Sequence, residues 1–146
     1  MRTIIAAIAM ATLALPALAG GETASNPDAR VYFVNLADGD SVVSPLTVVF
    51  GLSGMGVAPA GTEKDNTGHH HLLINRPALG QGEDGADELM YGIASDENHR
   101  HFGGGQTEVT LELAAGTHTL QLVMGDLGHV PHTTPIVSEV ITIKVE

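Results

Sequence analysis

Residues 66–75 read Asn-Thr-Gly-His-His-His-Leu-Leu-Ile-Asn. The apolar run Leu72-Leu73-Ile74 is too short for a helix and reads as strand. Asn66, Gly68 and Asn75 around it are turn formers, so the three histidines sit where a loop becomes that strand. Side chains of a strand alternate between faces. His69 and His71 therefore share one face, able to reach a single ion, and His70 takes the other.

The segments outward from this stretch repeat the same pattern. Thr107, Val109, Leu111 and Leu113 alternate with Glu108, Thr110 and Glu112, a half-buried strand with one wet face. Leu120, Leu122 and Met124 form the inner row of another, and Ile141, Ile143 and Val145 of the last, within 137–145. Upstream, 30–36 and the β-branched run 46–52 read as strands separated by Asp38-Gly39-Asp40. No segment carries a capped helical period. The Gly-rich acidic stretch 80–88 reads as a surface loop. The expectation is an all-β fold, an immunoglobulin-like antiparallel β-sandwich of about seven strands, with a small barrel as the alternative.

The N-terminus differs. Arg2, the apolar run 4–18 and Ala17-Leu18-Ala19 make a secretory signal peptide over 1–19, cleaved to leave Gly20 first. Residues 20–29 are expected to be a flexible tether and 30–146 a single domain. That implies a periplasmic, secreted protein without a membrane span. Loss of Arg2 would take the formal charge from −11 to −12, which argues against nucleic acid and anionic lipid and favours cations. There is no Cys, so disulfides are excluded, and with no Trp and only five Phe and Tyr residues the chain is poor in aromatic stacking platforms.

Chemistry therefore falls to imidazole. All eight histidines lie between positions 69 and 132. His69-x-His71 and His99-x-His101 each place two rings on one strand face, and His129-x-x-His132 bends round Pro131. Neutral imidazole suits copper, zinc and nickel, and Met55, Met90 and Met124 add Cu(I) character where they are near. The expected metal ligands are His69, His70, His71, His101, His118, His129 and His132. Within them, one cluster of His69, His71, His101, His129 and His132 is expected, with His118 as its wall or a supporting residue and His99 dispensable. Motifs for nucleophilic catalysis, zinc proteolysis and phosphate loops are absent from the sequence, so binding rather than catalysis is expected. The function expected is a metal-binding protein, a copper carrier or buffer, with another envelope protein as a possible partner. The alternative is a structural or interaction sandwich whose histidines only hydrogen-bond.

Four segments together carry a family resemblance. They are the run from Asn66 to Ile74, His101-Phe-Gly-Gly-Gly-Gln-Thr-Glu108, Gly116-Thr-His-Thr-Leu-Gln-Leu122, and His129-Val-Pro-His132 followed by Pro135, Ser138 and Glu139. From Val48 to Val145 the chain resembles the bacterial exported family called domain of unknown function 4399. The resemblance implies a signal peptide, one all-β domain, and a motif set of His69, His70, His71, His101, His118, His129 and His132, with His99 at its edge.

Overall fold

The computed structural model describes residues 20–146; the signal peptide expected over 1–19 lies outside them. The strands are β1 (Arg30–Phe33), β2 (Ser41–Val42), β3 (Leu46–Ser53), β4 (Gly56–Val57), β5 (Thr67–Ile74), β6 (His99–His101), β7 (Glu108–Leu111), β8 (Gly116–Gly125) and β9 (Ile141–Val145). They form two sheets, one ordered β1-β3-β7 and one ordered β2-β9-β8-β5-β4, with β6 also on β5. Pairing is antiparallel except at two short contacts, β2 with β9 and β4 with β5. The protein is an all-β sandwich, and the sheets do not close into a barrel.

Alternation in sequence becomes the two faces of each strand. Val48, Leu72, Leu120, Leu122, Met124 and Ile143 meet between the sheets, each essentially without solvent exposure. Each such side chain contributes roughly 1.5–3 kcal/mol by leaving water. The expected inner rows of β8 and β9 are thus the core. The wet face expected near Glu108 is that of β7, where Glu108 and Thr110 are exposed.

Strand β5 is buried on both faces. Leu72 and Ile74 join the core between the sheets, whereas Leu73 joins a second cluster with Val123, Leu79 and Leu89 on the outer side. That outer cover includes a helix, α1 (Gly85–Tyr91), in part of the stretch expected to be a loop. The acidic, Gly-rich sequence hides it because it has no capping hydrogen bond and no long period. It is held by tertiary contacts: Leu89 is buried, and Arg76 bridges the Glu88 and Asp96 carboxylates.

The segment 20–29 is not a loose tether. The Gly20 and Gly21 N–H groups donate to the Thr133 and Pro131 carbonyls, and Thr133 N–H donates back to Thr23. Ala29 is buried in the core. No helix among the described residues is long and apolar enough to cross a membrane.

Candidate metal centre

On the outer face of β5, His71 lies opposite His101 of β6 in register, and His69 lies opposite Gly125 of β8. Gly125 admits the rings: a Cβ there would fall 2.4 Å from His71 Nε2. The fourth ring arrives from the turn after β8. Asp126 accepts from the Gly128 and Val130 N–H groups and from the Thr23 hydroxyl, and its own carbonyl accepts from His129 N–H. These bonds hold His129 in the left-handed region at φ 70°, a conformation uncommon outside glycine. Its ring turns toward β5.

His69 Nε2 is the hub of the resulting cluster. His71 Nε2 lies 3.0 Å from it, His101 Nε2 3.1 Å and His129 Nδ1 3.2 Å. The four donor atoms all lie within 4.8 Å of one another. An imidazole nitrogen carries either one N–H or one in-plane lone pair. At most one of the three contacts can therefore be a hydrogen bond. Ligand bonds of about 2.0–2.1 Å place neighbouring donors of a tetrahedral ion roughly 3.3 Å apart. The observed spacing is close to that requirement.

The protonation states suit ligation. Burial, then the other histidines, pushes His71 down to about 2. Burial, then His101 and His129, pushes His69 down to about 4, against the opposing pull of Asp126. His101 is lowered by burial and by His129. These rings are neutral at neutral pH, as metal ligands must be. Asp126 stays charged: burial opposes this, but its hydrogen bonds from Thr23, Val130 and Gly128 prevail and hold its pKa below the usual range. A carboxylate thus sits beside the cluster.

His99 is also part of this assembly, contrary to the expectation that it is dispensable. Its ring stacks on His71 at 15° with centroids 5.0 Å apart. His99 Nδ1 is 3.1 Å from the Ala94 carbonyl, which can only accept, so Nδ1 carries the proton. His99 Nε2 is then a lone pair, and His71 Nδ1–H donates to it at 2.8 Å. This chain fixes the tautomer of His71 and leaves the Nε2 lone pair facing the cluster. His99→Phe keeps the stacking surface but removes the acceptor. It is expected to weaken metal affinity by about 10–100-fold, the usual cost of losing a supporting partner of a ligand. A competition titration giving unchanged affinity would remove the relay from the site.

Three expected ligands lie elsewhere. His70 has the opposite parity on β5 and enters the core, its ring 5.1 Å from that of Phe50. His132 departs from His129 because Pro131 bridges to Gly125, and its ring is buried against Gly68. His118 lies on β8 where that strand pairs with β9, bonded between Asn75 and the Ala114 carbonyl. It is neither the wall of the cluster nor a supporting residue of it. Beside the four-histidine cluster a cleft of about 350 Å³ opens, lined in part by Tyr91, Ile93, Ser95 and His99.

The family model described as domain of unknown function (DUF4399) matches residues 48–146. No curated protein matches the chain, and no solved structure does.

Proposed function

The chain belongs to the domain of unknown function family DUF4399, whose description names no activity, and from its own residues we propose a metal-binding protein of the cell envelope. It holds one ion at His69, His71, His101 and His129, with copper as the first choice and zinc or nickel next. The carrying observation is the crowding of three ring nitrogens within 3.2 Å of His69 Nε2. Protons can satisfy only one of those contacts, whereas an ion satisfies all four rings together. Four protein ligands also fill a four-coordinate ion, which favours storage or transport over a catalytic centre with an open position. Export to the periplasm rests on the apolar start and the Ala17-Leu18-Ala19 site.

Protein stripped of metal and titrated with Cu(II), Zn(II) and Ni(II) against a chromophoric chelator is expected to bind one equivalent tightly. His101→Ala with His129→Ala is expected to abolish competition with the chelator. Absence of binding by the unsubstituted protein would favour a structural sandwich with mutually bonded histidines.

A further inference from the structure

The inner face of β5 poses a separate chemical problem. His70 and His132 are buried, and among the described residues neither ring nitrogen of either side chain has a hydrogen-bond partner. The Gln106 backbone lies near enough to His70 to favour its charged form slightly, yet no bond of good geometry forms. A buried polar atom without a partner costs about 1–3 kcal/mol. Four such atoms in one region of a core are a large cost to leave without a purpose.

The neighbours of these rings are thioethers. A Cβ at Gly68 would lie 3.2 Å from His132 Cε1 and 3.4 Å from Met55 Cε, so both groups converge on the space that this glycine leaves open. His70, two residues along the same face, pairs in register with Met124, and such opposed side chains stand roughly 4.5–5.5 Å apart at Cβ. Phe50 and Phe102 pack beside His70, and the Asp126 carboxylate lies near enough to His132 to interact with it. Neutral imidazoles with thioethers, His70, His132 and Met124 buried and Met55 partly so, favour a soft monovalent ion.

We propose that this inner face is a second metal site, specific for Cu(I), with His132 and Met55 as principal ligands and His70 and Met124 beside them. It uses none of the four outer ligands: alternation along β5 puts His70 on the face opposite His69 and His71, and His132 and Met55 meet at Gly68, which shares the His70 face.

The test is an anaerobic titration of the purified protein with Cu(I) against a chromophoric Cu(I) chelator, followed by X-ray absorption at the copper edge. Two equivalents are expected, with sulfur among the scatterers when both are bound. Met55→Leu with Met124→Leu conserves volume and is expected to lose one equivalent and the sulfur signal. Its zinc binding at the outer cluster should be unchanged, which also reports that it folds. Cu(I) bound without sulfur among its scatterers, whether one equivalent or two, would overturn the proposal. The outcomes separate the two sites. Zinc binding without a sulfur-ligated Cu(I) removes only the inner site, and sulfur-ligated Cu(I) without zinc binding removes only the outer one.

Discussion

His69→Leu is expected to lower metal affinity on the order of 10³-fold or more while leaving the metal-free protein at least as stable as before. The two halves have one cause. His69 Nε2 is the atom on which the other three donors converge. Without it the remaining rings lose the ligand nearest to all of them, a greater loss than the 10–100-fold typical of a supporting residue. In the metal-free protein the same ring is a burden: it is fully buried, its Nδ1 has no partner, and its Nε2 is crowded by three nitrogens. Leucine fills the space without those polar atoms. Such a trade between stability and function is common at sites built for a ligand. Denaturant unfolding and chelator competition on the same variant check both halves. A marked loss of metal-free stability would instead make His69 a structural residue.

The second large effect is in pH. The metal-free protein is expected to lose several kcal/mol of stability as pH falls from 6.5 toward 4. The folded-state pKa values of His69 and His70 are about 4 and that of His71 about 2, against 6.5 in an unfolded chain. Between these limits the unfolded chain binds more protons than the folded one, so stability rises with pH through the window and is fully present above 6.5. Each unit of difference is worth about 1.4 kcal/mol per group, and a domain of this kind has only about 5–15 kcal/mol in total. Urea midpoints measured from pH 7.5 down to 5 isolate the histidines, since reference carboxylates titrate near 4. A flat profile over that range would show that the buried rings accept protons without cost. Saturating Zn(II) should delay the loss, because bound rings cannot take up protons.

The readable part of this fold is the part with short-range periodicity. Leu120, Leu122 and Met124, and Ile141, Ile143 and Val145, show their inward face in the chain itself, and all are buried. The same rule separates His69 and His71 from His70. Helix α1 is not legible because Leu89 and the Arg76–Glu88 pair hold it from outside, not its own period. His129 and His132 look like one chelating pair, yet the Gly125–Pro131 bridge sends them to different faces. That bridge is a long-range pairing with no local sign. His99 is visible as half of His99-x-His101, but its task depends on stacking upon His71 and on the Ala94 carbonyl. The docking of Gly20 and Gly21 along 131–133 likewise has no trace in a polar, glycine-containing start.

The origin of the fourth outer ring sets a clock. His69 and His71 stand on a strand paired along both edges, and His101 is on one of its partners. His129 hangs from a five-residue turn closed by the Asp126 carboxylate. Sheet hydrogen bonds open by rare, cooperative unfolding, whereas turns move in nanoseconds to microseconds. An ion would therefore leave by the swing of one side of its cage, passing through a three-coordinate state still gripped by the sheet. With His129 withdrawn, His69, His71 and His101 would still hold the ion, and a ligand offered by another molecule could take the place of His129. Residence time would follow the Asp126 turn rather than the strength of the sandwich, so handover could be quick although the scaffold is rigid.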